Sequence, residues 1–256
     1  MSEVTLESQL IEIIKDEEMA ENIKLAKIDM LIRLGVDVNA LYGAKSLLKL
    51  TKDNNLKKVA ELLENNGAKD VFDEEIAKEL GVKLIELCTN GEKKDVEELI
   101  DMGADINQKN KYGNTALMRA SYWGNKEVVE LLIQNGADVN VKSNGGSTAL
   151  MYASCKGRKE IVELLIQNGA DVNAKTNGGS TALMKASFGG HKEIAVLLIQ
   201  NGADVNQKNN EGQNAMMVAY DNGTKKAIIN AVKKRNEKEN GGSFFSKIKR
   251  RLGIDM

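Results

Sequence analysis

The chain of 256 residues carries 36 Lys and Arg against 37 Asp and Glu, a formal net charge of −1. That near balance excludes a general nucleic-acid binder, which needs a clustered positive field to neutralise phosphates. Hydrophobic residues at 42% and charged residues at 29% fit a soluble protein with a continuous buried core, and aromatic residues at only 4% make that core aliphatic.

The N-terminus, Met1-Ser2-Glu3-Val4-Thr5, has neither a basic nor an apolar stretch of signal-peptide type, and no later segment approaches the roughly 18 uninterrupted apolar residues of a membrane span. Cys88 and Cys155 lie far apart, without metal-ligand spacing, and are expected to be reduced thiols. The expected location is the cytoplasm. Within 1–80, which carries −6, Leu31-Ile32 with Gly35-Val36-Asp37-Val38-Asn39 and Leu62-Leu63 with Gly67-Ala68 predict two degenerate helical units. Residues 81–107 keep Leu84, Leu87, Gly91, Leu99 and Gly103 in register with the units C-terminal to them.

From there the chain repeats itself. Thr115, Thr148 and Thr181 are 33 residues apart and each opens Thr-Ala-Leu-Met. Gly113, Gly146, Gly179 and Gly212 share the offset, as do Gly124, Gly157, Gly190 and Gly223, and Gly103, Gly136, Gly169 and Gly202. Ala-Asp-Val-Asn follows at 137–140, 170–173 and 203–206, with Ala104-Asp105-Ile106-Asn107 as a near match. Self-similarity at this period means a solenoid, because one such unit cannot bury its own apolar face. In the middle unit the pattern predicts a first helix over 148–156 and a second over 159–168, whose Ile161, Leu164 and Leu165 recur at i, i+3 and i+4. Gly169 then ends the second helix, and the Gly145-Gly146 and Gly178-Gly179 pairs, which lack a following Lys-Ser/Thr, read as hairpin-loop glycines rather than a phosphate loop.

These boxes resemble the ankyrin-repeat family, whose pattern runs Gly-x-Thr-Pro-Leu-His-x-Ala, Gly-His, Val-x-x-Leu-Leu and Gly-Ala-Asp. The resemblance is strong over about 81–223. Ala116, Ala149 and Ala182 stand where the family has proline, and Met118, Met151 and Met184 where it has histidine. The threonine remains able to cap the helix, whereas a thioether fills the histidine's volume without its hydrogen-bond donor, which predicts lower rigidity per repeat. The expected fold is an all-α ankyrin-repeat solenoid of about seven helix–turn–helix units, including degenerate caps, with hairpin-like loops between units. Residues 1–80 are degenerate N-terminal repeats, 81–236 the repeats proper and 237–256 a basic tail.

Little in the chain points to chemistry. His191 is the only histidine and sits at the Gly-His position between two helices, so a catalytic triad or multi-histidine metal site lacks its other members. Cys155 has only Lys156 beside it to lower its pKa, which does not mark a catalytic thiol. No enzymatic activity, metal or cofactor is expected.

Resemblance to the family implies instead a partner protein, bound by the loop tips and the concave face of the first helices. The informative residues are then those that break the repeat there. Three equivalent dipeptides differ: Tyr122-Trp123, Cys155-Lys156 and Phe188-Gly189. Trp123 is the only tryptophan, and Tyr112, Arg119, Tyr152 and Lys185 extend the candidate surface. The competing reading of Trp123 is local core against the next repeat's turn. In the tail, Gly241-Gly242-Ser243 predicts a flexible break before Phe244-Phe245-Ser246-Lys247-Ile248-Lys249-Arg250-Arg251-Leu252-Gly253-Ile254, a basic amphipathic segment. It reads either as a capping helix over the last repeat or as a contact to membrane or nucleic acid. The leading function is a monomeric scaffold or adaptor binding another protein; the alternative is a secreted or membrane-associated effector that uses the tail for targeting.

Overall fold

A computed structural model describes residues 6–16, 19–33, 41–42, 45–53, 56–68, 74–89 and 93–252, of which 238–252 are described as backbone only. Gly35 to Asn39, Gly91, Gly253 and Ile254 lie outside the described residues. The chain forms two compact units, the first from residues 1–84 with 97–105, the second from 85–96 with 106–256.

The first unit contains α1 (Leu6–Lys15), α2 (Glu21–Arg33), a two-stranded hairpin of β1 (Leu41–Tyr42) and β2 (Lys45–Ser46), α3 (Leu47–Asp53) and α4 (Lys57–Asn65). Helices α5 (Glu74–Leu87) and α6 (Lys93–Asp101) each give residues to both units. Its core is aliphatic: Leu10, Ile14, Ile28, Leu48, Val59 and Leu63 are all buried. The buried Lys24 donates from Nζ to the Ile14 carbonyl at 3.1 Å, placing a cation at the negative end of α1. Ser46 accepts from the Lys49 N–H at 3.1 Å and so caps α3. Hairpin, capped short helix and second helix follow in the order used by the repeats of the second unit.

In the second unit the helix pairs are α7 (Ala116–Trp123) with α8 (Lys126–Gln134), α9 (Ala149–Cys155) with α10 (Lys159–Gln167), and α11 (Ala182–Phe188) with α12 (Lys192–Gln200), before α13 (Asn222–Leu252). Thr115, Thr148 and Thr181 stand at the N-caps in extended conformation, each accepting from the N–H of Met118, Met151 or Met184. The three methionines are buried, filling the volume expected of them. Ile161, Val162 and Leu165 of α10 are buried, while Leu164 is half-buried. Gly169 takes φ +83° beyond α10, as the C-terminal turn requires.

Polar side chains tie each pair to the next. Asn140 donates from Nδ2 to the Gly169 carbonyl at 3.0 Å and accepts the Asp171 N–H at 2.8 Å. Asn107 bonds Gly136 and Asp138 in the same way, and Asn173 bonds Gly202 and Asp204. The last residue of the Asp-Val-Asn box is therefore an inter-repeat clasp. At the hairpin tips, Asn144, Asn177 and Asn210 donate from Nδ2 to the carbonyls of Lys111, Asn144 and Asn177, a second ladder of the same period.

A third tie uses a different side chain each time. Asn125 donates to the Cys88 carbonyl at 3.1 Å, Arg158 reaches the Tyr122 carbonyl at 3.5 Å, and His191 Nε2 lies 3.0 Å from the Cys155 carbonyl, which fixes the proton on that nitrogen. The turn histidine is thus one of three ties, and it packs so closely on Gly157 (φ +73°) that a Cβ there would lie 2.7 Å from its ring.

Tyr122, Trp123, Cys155 and Phe188 sit in the last turns of their first helices, because the positive-φ glycines come one or two residues later. Two expectations are corrected. Residues 214–221 form turns instead of a first helix, although Asn214 still accepts the Met217 N–H at 3.1 Å. Tyr220 occupies the register of Ser121, Ser154 and Ser187, all fully buried, and a phenol ring is too large for that slot. Both Met217 and Tyr220 are consequently exposed. Finally, α13 runs unbroken to Leu252, so Gly241-Gly242-Ser243 is helical and not a break. Each glycine costs only about 1 kcal/mol relative to alanine in a helix, which a long helix tolerates. Arg235 anchors its first half by donating to the Ala203 carbonyl at 3.0 Å.

Replacing the cap in Thr148→Ala is expected to lower unfolding free energy by about 1 kcal/mol in urea titration. His191→Ala should lose a similar amount by loss of its single bond, about 1 kcal/mol, whereas His191→Asn, which copies Asn125, should recover most of it. Among the described residues the buried Ser121 and Ser154 hydroxyls have no partner, whereas Ser187 Oγ donates to the Leu183 carbonyl at 2.7 Å. Ser154→Ala is accordingly expected to be neutral or stabilising by up to about 1 kcal/mol, and Ser187→Ala destabilising, in the same titration.

Candidate functional site

The first helices present a connected aromatic cluster. Tyr122 stands edge-on to Trp123, ring centroids 5.4 Å apart at 74°, and edge-on to Tyr152 of the next repeat at 6.0 Å and 75°. Tyr152 is fixed at its other end by donating its hydroxyl to Asn114 Oδ1 at 2.9 Å. The Lys156 ammonium lies 4.5 Å from the centroid of the Tyr122 ring, a cation–π contact. Its pKa is raised above the ordinary lysine value, chiefly by its hydrogen bond to Tyr122. The repeat explains the arrangement: position 122 of one unit and position 152 of the next come together because first helices stack side by side.

Trp123 leaves 46% of its surface exposed, which rejects the reading of it as local core. Tyr122 and Tyr152 are half-buried, as are Arg119 and Lys185, which occupy the register of Tyr152 one repeat on either side. Phe188 is exposed in the last turn of α11, and Tyr112 at a hairpin tip, where Lys111 lies 5.1 Å from its ring centroid. Neither makes a ring contact with the cluster. Cys155 is half-buried beside Lys156. Of the nine sequence-derived residues, Trp123, Tyr152 and Lys156 are each brought against Tyr122, which is the hub of the cluster.

Of the exposed apolar residues missed by the sequence reading, which also include Val82 and Ile229, Met217 and Tyr220 are the most exposed. The signal was present as the change from Thr-Ala-Leu-Met to Asn214-Ala215-Met216-Met217 and as a tyrosine in the serine register.

Charge separates the two sides of the repeats. On the second helices lysines are paired across repeats: Lys126 with Glu160 at 3.7 Å, Lys159 with Glu193 at 3.0 Å, and Lys192 with Asp221 at 3.7 Å. The Asp221 carboxyl is held below its ordinary value, chiefly by the Thr224 N–H that it accepts. Between α10 and α12 lies a shallow depression of about 360 Å³ lined by Glu163, Val196, Leu197 and Gln200, on the opposite helices from the ring cluster. It is crossed by the Lys159–Glu193 ion pair.

Burial pushes the Cys88 thiol up to about 12, which leaves it protonated and inert at neutral pH. Among the described residues no group of three His, Cys, Asp or Glu side chains converges as a metal site would need. No described helix is long and apolar enough to cross a membrane.

Comparison with known families gives two matches. A family model of ankyrin repeats in three copies matches residues 84–176, and another of ankyrin repeats in many copies matches residues 154–199. No curated protein matches the chain.

Titration of the native chain with an aromatic disulfide at pH 8 is expected to modify one thiol, Cys155, and to reach Cys88 only in denaturant; Cys155→Ser should abolish the native reaction.

Proposed function

From the premise that residues 84–199 are ankyrin repeats, we propose that the second unit is a non-enzymatic scaffold that seats a partner protein on the Tyr122, Trp123 and Tyr152 rings. Ankyrin repeats mediate protein–protein interaction, and their rigid stack supplies a platform whose specificity resides in the positions that vary. Arg119, Lys156, Lys185 and Phe188 extend the contact along the first helices, with Cys155 beside them and Tyr112 at the hairpin tip.

The observation that carries the reading is Trp123. It is a large ring, nearly half exposed, yet held edge-on by Tyr122, which is itself braced by Tyr152. A ring already held loses little conformational freedom on binding, so most of the apolar area that a partner covers becomes affinity. The candidates for chemistry are engaged otherwise: His191 is bound to the Cys155 carbonyl and Cys88 is a buried thiol.

A pull-down from the native cell extract tests this, comparing wild type with the Tyr122→Ala, Trp123→Ala double variant after circular dichroism shows both folded. Loss of an anchor pair of this kind weakens binding by about 2 kcal/mol or more, roughly 30-fold, so a partner should be retained by wild type and lost by the variant. Equal retention by both moves the interface away from these rings.

A further inference from the structure

We infer that the partner segment lying on this face is acidic, a stretch of Asp and Glu with an interspersed aromatic or aliphatic residue that meets the Trp123 ring. The inference rests on the protein-binding reading above and adds the chemistry of the ligand.

The sequences of α7, α9 and α11, ALMRASYW, ALMYASC and ALMKASF, contain two cations and no carboxylate. Lys156, which caps α9, adds a third cation, facing the Tyr122 ring. The hairpins add one lysine per repeat in strict register: Lys109, Lys142, Lys175 and Lys208, all exposed. Glu211 is the one carboxylate within the tips 109–113, 142–146, 175–179 and 208–212. In the repeats, carboxylates belong to the second helices and to the connections that follow them, such as Asp138, Asp171 and Asp204.

Pairing makes the asymmetry matter. The lysines of the second helices are already neutralised by the ladder from Lys126 to Asp221, whereas Arg119, Lys156 and Lys185 have no carboxylate within ion-pair distance among the described residues. An unpaired row of cations around exposed rings complements an acidic peptide in both charge and apolar area.

The same composition also serves single-stranded nucleic acid elsewhere, by stacking bases on open ring faces. Here the central ring of the cluster does not offer that. Tyr122 is covered by the Lys156 ammonium on one face and meets both neighbouring rings edge-on. The acidic second helices, with Glu127, Glu130, Glu160 and Glu163, would also repel a long phosphate backbone. A peptide needs only a short acidic run and escapes that repulsion.

Trp123, the only tryptophan, reports on the face directly. The full chain is titrated with a random Glu–Tyr copolymer, with a Lys–Tyr copolymer and with an oligothymidylate, exciting at 295 nm so that only Trp123 emits. The Glu–Tyr copolymer is expected to change the emission saturably, with affinity falling about tenfold or more when salt rises from 50 to 500 mM and screening becomes short-ranged. The Lys–Tyr copolymer should give no change. In Arg119→Glu, Lys156→Glu, Lys185→Glu, three reversed pairs should weaken copolymer binding about tenfold or more. Lys142→Glu, Lys175→Glu, which reverses only exposed tip lysines, should weaken it less but measurably, and guards against a folding defect in the first variant.

No response to the Glu–Tyr copolymer, unchanged affinity in both charge-reversal variants, or tighter binding of oligothymidylate overturns the inference. The captured partner separates this from failure of the protein-binding reading. If it is lost from the Tyr122→Ala, Trp123→Ala variant but kept by both charge-reversal variants, the face is the interface and its ligand is not acidic.

Discussion

The architecture of the second unit depends on one recurrent interaction, the side-chain amide that crosses from one helix pair to the next. Asn107, Asn140 and Asn173 each donate to the carbonyl of the glycine that ends the following second helix, and each accepts the N–H two residues beyond it. A helix end leaves carbonyls that its own backbone cannot satisfy, and leaving such groups unmet in a packed stack is expensive. Here the last carbonyls of each second helix are met by its own terminal turn, and the neighbouring unit's amide meets the glycine carbonyl just beyond, so stacking ties the helix end as well as covering apolar surface. The 33-residue period follows from that demand, because the amide must arrive at the same place in every repeat.

A stack fixed in this way separates roles by position. Buried registers such as Leu117, Leu150 and Leu183 or Met118, Met151 and Met184 are held constant, since each is enclosed in a close-packed interior that tolerates little change of volume. The outward registers of the first helices have no such constraint and differ freely: Arg119, Tyr152 and Lys185 share one of them. The ring cluster arises where that freedom places Tyr122 and Tyr152 on adjacent helices. A rigid platform then holds Trp123 without the aromatic ring being part of the core.

The C-terminal end shows the same constraint failing. Thr181 is replaced by Asn214, which still receives the Met217 N–H, and the cap alone does not secure a helix. What decides is packing: a fully buried serine slot receives Tyr220, and the segment unwinds. The stack is closed instead by α13, through Arg235 on the carbonyls at the end of α12 and through Ile228 and Ala231, both buried. Tertiary fit overrides local propensity at this one unit.

Sequence by itself determined the period, the helix pairs, the threonine caps and the glycine turns, because each is dictated by local backbone geometry repeated at fixed spacing. It also identified Trp123 and its companions as departures from the repeat, since a difference at an otherwise constant position needs no coordinates to be seen. It did not reveal that Tyr122, Trp123, Tyr152 and Lys156 touch while Tyr112 and Phe188 stand apart, because ring contacts between repeats depend on side-chain rotamers that spacing does not encode. Nor did it show that His191, Arg158 and Asn125 play one structural role, since their chemistries differ and only the stacked geometry brings three unlike donors to carbonyls at the end of the preceding first helix or one residue from that register. Helical continuity through Gly241-Gly242-Ser243 and the unwinding before α13 were likewise settled by tertiary structure, where length of helix and room in the core outweigh the preference of any single residue.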